Sequence, residues 1–516
     1  MRLLFILLLC ITSLHAQKRE VGANKLYKTI KQALNASKDG DTVLVHKGIY
    51  KEGNIRIDKK IVFLGKDFPV LDGQKRVEVL SIHADSVIVK GFRVINSGFA
   101  ALEDPCGIKV YNKSFVVIEG NQLDDNFFGI YIQNGRNCIV KNNTIIAYGK
   151  EEQQIGNGIH AWKSNDLQII GNTIKGHRDG IYFEFVYDSV IWRNIATNNI
   201  RYGLHFMFSS NDSYITNIFR NNGAGVAVMF SKDVTMINNY FDENWGASSY
   251  GLLLKEISDS YIYTNYFKNN TSGIYMEGTN RIKIEKNVFE GNGWAMKIQA
   301  SCMDNEIVNN NFQGNTFDMG TNGSLVLNTF NNNYWDKYEG YDINKDGLGD
   351  VPYHPLSLFA VLVEKNPSAM LLFRSFMITL LDKSEKVLPS ITPDNFVDKA
   401  FAQTPFVTEN SDYLAGKAGD NPLLNDLLSR ANMNKTLEEI TEKDKTHYRI
   451  FNQLLGPFNE TNTSYYKASV GGYHAVKLRR YDDLINHYFY AEDSVKSAQI
   501  PQILNLLNTK YIVGGT

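Results

Sequence analysis

Cysteine is scarce in this chain. There are four among 516 residues, and only Cys106, Cys138 and Cys302 lie beyond the apolar N-terminal stretch. Three cysteines at irregular spacing make no disulfide framework; one bridge at most can form, and buried inert thiols are the simpler expectation. A surplus of one charge is also missing, since 54 lysines and arginines face 55 aspartates and glutamates for a net charge of −1. That balance argues against a nucleic-acid or anionic-membrane binder, because both need a basic surplus. Proline is absent from 106 to 351, whereas nine of the eleven prolines follow residue 351. Such a stretch suits a backbone in which nearly every amide donates to a neighbouring strand, and it predicts a change of architecture after 351. Beyond the first residues no apolar run reaches the roughly 18 to 20 positions that a membrane-spanning helix needs.

The opening MRLLFILLLCITSLHA has an early Arg2, an apolar centre and a small Ala16 before Gln17, the pattern of a secretory signal peptide over residues 1–16. A lipoprotein reading through Cys10 lacks the small residues that usually precede the acylated cysteine. The mature chain is therefore expected outside the cytoplasm.

Repetition then decides the fold. Glycines that open an alternating strand stand at 107, 129, 158, 180, 203, 225, 251 and 273, and fourteen residues after each comes an asparagine, Asn121 through Asn287. The steps between glycines are 22, 29, 22, 23, 22, 26 and 22, so every insertion falls in the one segment between an asparagine and the next glycine. A unit of about 22 residues with a fixed body and one variable corner predicts an all-β, right-handed parallel β-helix, each coil stacking on the last. Positions one and three after each glycine, such as Leu204 and Phe206, are apolar and fill the interior; in RYGLHFMFSS strict alternation adds Phe208 to that face. Before the coils, NKLYKTIKQALNA puts Leu26, Ile30, Ala33 and Leu34 on one face of a helix that would cap the open end. The predicted organisation is β-helix over 17–355, with regular coils from Gly107 to Asn333, an extension over 356–399, and a small α/β region over 400–516.

KTIKQAL, GDTVLVHKGIY, RYGLHFMFSS, AGVAVMFSKDVTMINNYF, YGLLLKEISDSYIYTN and NNYWDKYEGYDINKDGLGDVPYHP together resemble the NosD family over about residues 20–398. Generic β-helix proteins share the coils but not these strings. The resemblance implies a periplasmic accessory protein for maturation of nitrous oxide reductase, needed for its copper–sulfur centre. It also implies as partners an ABC transporter membrane component, the reductase and a copper chaperone, and no known reaction for this chain. From about 395 the sequence is similar instead to an extracytoplasmic fragment of the YfhO membrane-protein family, through PFNETNTSYYKASVGGYHAVKLRRYDDLINHYF and LNLLNTKYIV. That suggests a mosaic, by genuine fusion or by faulty sequence assembly. In the tail, His474, Lys477, Arg479 and Arg480 are expected to be structural.

The outward face of the coils carries two columns. The first reads Tyr131, His160, Tyr182, His205, Ala227, Leu253, Tyr275; the second reads Gln133, Trp162, Glu184, Met207, Met229, Lys255, Glu277. Coils lie about 4.8 Å apart, so His160, Trp162, His205, Met207 and Met229 form a candidate patch. Its rich methionine and aromatic content suits protein docking. Imidazole and thioether also suit a transient Cu(I) contact, and a loop covering the column is a third reading. The long corners at 148–157 and 243–250, four coils and about 19 Å apart, would wall this patch.

DINKDGLGD supplies a second candidate. Asp342, Asn344, Asp346, Leu348 and Asp350 have the spacing of the first nine positions of a calcium loop, but Tyr353 stands where the bidentate glutamate belongs. The alternative is an aspartate-rich turn bonded to itself. A polysaccharide lyase or epimerase, or a carbohydrate-binding scaffold, also remains open for a β-helix. Against an enzyme, the outward columns hold only Glu184 and Glu277 as carboxylates, four coils apart.

Overall fold

A computed structural model describes residues 17–99, 104–323, 327–387, 396–398, 401–406, 449–452 and 509–513. The expected signal peptide and most of the 400–516 tail, with its four basic candidates, lie outside the described residues. The chain divides into two compact units, Met1–Gly416 and Lys417–Thr516. In the second unit the described residues form one parallel pair, Arg449–Asn452 with Thr509–Val513.

The first unit is a parallel β-helix of three sheets, with 14, 12 and 13 strands. One coil shows the plan. Tyr202–Met207 lies in the 12-stranded sheet, Ser213–Ile215 in the 14-stranded sheet and Ile218–Arg220 in the 13-stranded sheet; each pairs in parallel with its equivalent one coil on. Leu204 and Phe206 are fully buried between the sheets. A ring column fills the core under the third sheet, with centroid spacings of 5.6 Å for Phe219–Phe241, 4.6 Å for Phe241–Phe267 and 4.1 Å for Phe312–Trp335.

The glycine–asparagine arithmetic has a direct physical cause. A Cβ on Gly203 would stand 2.7 Å from the Gly225 carbonyl oxygen and 2.8 Å from the Phe219 ring, so the next coil and the core ring leave no room for one. The asparagines build a buried ladder: Asn217 Oδ1 accepts from the Asn194 amide at 2.8 Å, and Asn217 Nδ2 donates to Ile191 O at 3.0 Å and Asn239 Oδ1 at 2.9 Å. A second ladder, unread in the sequence, runs through Asn199, Asn222, Asn244, Asn270 and Asn292 at the variable corner. His177 occupies one rung, its amide donating to Asn199 Oδ1.

At the near end helix α1 (Ile30–Ala36) covers the coils with Ile30, Ala33 and Leu34 and starts in a capping box of Thr29 and Gln32. Leu26 lies before the helix and is exposed, so the expected apolar face is one residue shorter. At the far end Asp398 continues the asparagine ladder: its Oδ2 accepts from the Asn333 amide at 3.1 Å and Asn333 Nδ2 at 2.9 Å. Phe396 and Phe401 are buried there, and Asn311 Nδ2 donates to Phe406 O at 2.9 Å. Cys106, Cys138 and Cys302 are free and buried, and burial pushes the Cys138 thiol up to about 11.

Candidate functional site

The 12-stranded sheet sets both outward columns in the expected register: Tyr182 pairs with His205, Glu184 with Met207, His205 with Ala227 and Met207 with Met229. Register also separates the five candidate residues. Met207 and Met229 are direct neighbours, whereas Tyr182 stands between His160 and His205, and Glu184 between Trp162 and Met207. The patch is therefore a methionine pair beside a ring column.

That ring column is covered. His160 and His205 are both buried, with Tyr131–His160 centroids 4.4 Å apart, His160–Tyr182 4.9 Å and Tyr182–His205 4.7 Å. Burial drives the His160 imidazole down to about 3, helped by the Arg178 charge, so it is neutral at physiological pH. His160 Nδ1 lies 3.4 Å from Asn157 Nδ2, within the 148–157 corner. The same corner sends Glu152 to Arg201 at 3.8 Å, folding the insertion toward the column it borders. The two histidines thus present no open docking surface, a correction to the patch expected from alternation alone.

Corners also deliver a group that the columns miss. Asp179 is buried, with Oδ2 3.7 Å from His205 Nδ1 and Oδ1 3.7 Å from Arg201 Nε, and it accepts from the Tyr202 amide at 3.3 Å. Among the described residues neither ring nitrogen of His205 has a hydrogen-bond partner. The sequence signal was the RDG string that enters the Gly180 coil, outside positions counted from the glycine.

The part of the patch that reaches solvent is Trp162, Met207 and Met229. Tyr182 Oη donates to Met207 Sδ at 3.7 Å, and burial pushes that phenol up to about 12, so it remains a donor. Beside the methionines a second feature emerges. The strand ends at Met207, and Phe208 does not continue inward: it turns the corner with φ 52° and is 37% exposed. Phe185 and Phe230 hold the same place in their coils with φ 54° and 52°, and Phe230 is 42% exposed. Their rings stack at 5.2 Å and 5.1 Å. A left-handed backbone costs a side chain of this size about 1–2 kcal/mol relative to glycine, so three in succession are locally unfavourable choices. The signal was a fixed offset, five residues after each coil glycine, where other coils carry Asn112, Asn134, Lys163, Glu256 or Gly278, all of them on left-handed backbone.

The calcium candidate is differently built. Asp342 Oδ2 accepts from the Gly347 amide at 2.9 Å, Asn344 Oδ1 from the Asp346 amide at 3.0 Å, and Asp346 Oδ1 from the Leu348 amide at 2.8 Å. Asp350 Oδ2 accepts from the Ile343 amide at 2.5 Å. The oxygens serve the loop's own backbone, and no group of three or more His, Cys, Asp or Glu side chains suited to a metal occurs among the described residues. The aspartate-rich turn is the reading that the geometry supports.

Comparison with known proteins bears on both fold and site. Residues 76–174 match a right-handed β-helix region, and residues 147–346, which include both methionines and the phenylalanine ladder, match a family described as periplasmic copper-binding protein (NosD). A probable ABC transporter binding protein NosD of Pseudomonas aeruginosa is 31% identical over 360 residues, covering 66% of this chain and 83% of the relative. Its counterpart in Stutzerimonas stutzeri is 27% identical, over 66% and 82%. Among solved structures, PfbA, a surface adhesin of Streptococcus pneumoniae, matches at TM-score 0.47 and 13% identity, over 56% of this chain and 87% of the adhesin. The identity and coverage of the Pseudomonas relative place this chain in the NosD family.

Proposed function

We propose that the chain is a periplasmic accessory protein for maturation of nitrous oxide reductase, working with an ABC transporter membrane component, a copper chaperone and the reductase while its copper–sulfur centre is assembled. The observation that carries the reading is the strip formed by Met207–Phe208 and Met229–Phe230. It lies inside the segment that matches the family, sets exposed aromatic rings beside half-buried thioethers, and places the rings on left-handed backbone to do so. Met207 and Met229 would offer copper, as cargo, a transient contact through two soft sulfurs. His205 joins that contact only if its ring leaves Asp179 and Tyr202. Affinity isolation of the tagged chain from detergent-solubilised membranes tests the partnership: recovery of the transporter's membrane component is expected, and its absence under conditions that preserve the transporter would count against the reading.

A second reading, a β-helix enzyme acting on acidic polysaccharide, is prompted by Asp179 beside His205, a carboxylate and an imidazole 3.7 Å apart. Both groups are buried, with 1% and 5% of their surface accessible. Turnover of uronate polymers in a depolymerisation screen would support it, and abolition of that turnover in Asp179→Asn would locate it.

A further inference from the structure

The outward columns continue past His160 toward the first coils, where they carry polar groups that neither reading above uses. Lys109 pairs in register with Tyr131 and Tyr111 with Gln133, so four side chains share the outward face of two neighbouring strands, about 4.8 Å apart. Ser81 stands one coil before Lys109, and Trp162 one coil after Gln133. A carboxyl joins them from just before the strand Leu80–Ile82: Glu78 Oε2 accepts from Tyr111 Oη at 2.9 Å, and Glu78 Oε1 accepts from Ser81 Oγ. Burial pushes the Glu78 carboxyl up, against those two hydrogen bonds and the Lys109 charge.

Lys109 is the anomaly of the group. It is 8% exposed, yet among the described residues its ammonium has neither a hydrogen-bond acceptor nor an ion-pair partner. It lies instead over two rings, 5.0 Å from the Tyr111 centroid and 4.6 Å from that of Tyr131. A ring face attracts the charge but leaves the three N–H groups without an oxygen, a deficit that an anion would fill. Two more donors beside it are free among the described residues: the Tyr131 hydroxyl, on a side chain 7% exposed, and the half-buried Gln133 amide. Burial pushes the Tyr131 phenol up, so it stays a donor. This set selects among ligands. Lys109 repels a cation, and sulfate brings two charges and no donor to the Glu78 carboxyl. A sugar acid brings one carboxylate for Lys109 and Tyr131 Oη, with hydroxyls that accept from Gln133 and donate to Glu78. The half-buried Trp162 indole, one coil on, offers the sugar ring an apolar face.

We infer that Lys109, Tyr131, Gln133 and Glu78 form a binding site for a uronate, a sugar carrying a single carboxylate, on the outward face of the 12-stranded sheet. The inference goes beyond the accessory reading and is independent of it, since it requires no turnover and no partner protein. Purified full-length chain is titrated by calorimetry with trigalacturonate, trimannuronate, the neutral galactotriose and sodium sulfate. Saturable binding of at least one uronate is expected, with none of galactotriose or sulfate. K109M keeps the stem over the two rings and removes the charge, so uronate affinity should fall about tenfold or more. The ligand-free K109M chain should melt no lower than the parent, because an unpaired buried cation has gone. Y131F, which keeps the ring and removes one donor, should lose about fivefold, while K232Q, at an exposed lysine elsewhere on the solenoid, should bind as the parent does. Failure of both uronates to bind, or uronate binding unchanged in K109M, overturns the inference. Equal binding of galactotriose also overturns it by removing the role of the carboxylate, and equal binding of sulfate does so by assigning the site to simple anions. Should K109M melt lower than the parent, Y131F decides, and unchanged uronate affinity in that variant overturns the site.

Discussion

The ladder at Asn217 offers a quantitative test of how the coils are held. Truncation by Asn217→Ala removes the side chain that accepts from the Asn194 amide and from Asn194 Nδ2, and that donates to Ile191 O and Asn239 Oδ1. Asn239 Oδ1 keeps the Asn217 backbone amide as donor at 3.0 Å. The Asn194 amide and the Ile191 carbonyl lose these partners in a site with no solvent exposure at Asn217. Each such buried group costs about 1–3 kcal/mol, giving a loss of about 2–6 kcal/mol. Urea unfolding followed by near-UV circular dichroism measures it. Because a solenoid is stabilised between nearest coils, limited proteolysis should also open first around residues 190–240. Asn221→Gly is the matched control. Asn221 is exposed with φ 51°, a conformation that glycine adopts freely, and its Nδ2 donates to Asn198 Oδ1 at the surface, so the change should stay within about 0.5 kcal/mol. A loss at Asn217 no larger than at Asn221 would refute the ladder as a stabilising element.

Three further outcomes follow from the same geometry. Phe206→Ala should lower stability by about 3–5 kcal/mol, whereas Phe208→Gly should change it by less than about 1 kcal/mol, since relief of a left-handed phenylalanine offsets lost stacking; equal losses in denaturant unfolding would contradict the corner assignment. Asp398→Asn should be tolerated as one more ladder asparagine, while Asp398→Ala, which leaves Asn333 and the Trp335 indole without its Oδ2, should cost about 2 kcal/mol and lower the melting temperature. Burial holds His160 at about 3 and His177 at about 4, below the ordinary 6.5, so the folded state resists protonation that the unfolded chain accepts. Their contribution is full above about pH 6.5 and is lost as pH falls toward those values. At about pH 5 each should have removed about 2 kcal/mol, and His160→Gln or His177→Gln should flatten the pH dependence of the unfolding midpoint.

The repeat was legible because its causes are backbone contacts: a glycine that meets the next coil's carbonyl and an asparagine that fills a fixed corner recur at constant offset whatever the neighbouring side chains. That offset was enough to pair Met207 with Met229. Period-two alternation failed one residue later, at Phe208, because it assumes that the strand goes on, and the left-handed turn is recognisable only from the matching position in other coils. Asp179 was missed because the columns were counted forward from each glycine, whereas it stands one residue before Gly180, where other coils carry Cys106, Phe128, Tyr202 or Ala224. His160 is buried beside Asn157 of the 148–157 corner and His205 among Tyr182, Tyr202 and Asp179, surroundings that composition does not reveal. The spacing of Asp342, Asn344 and Asp346 suits a cation and an Asx-bonded turn equally well; only the direction of their oxygens separates the two.

The central claim is that the half-buried methionine pair, and not the buried histidines, serves the maturation of nitrous oxide reductase. Its most direct test is the copper content of reductase purified from cells in which this chain is replaced by M207S/M229S, by H205Q, or by the unaltered protein, each at matched abundance. The account predicts reductase depleted of copper with M207S/M229S and near-normal loading with H205Q. Normal loading with M207S/M229S would contradict it.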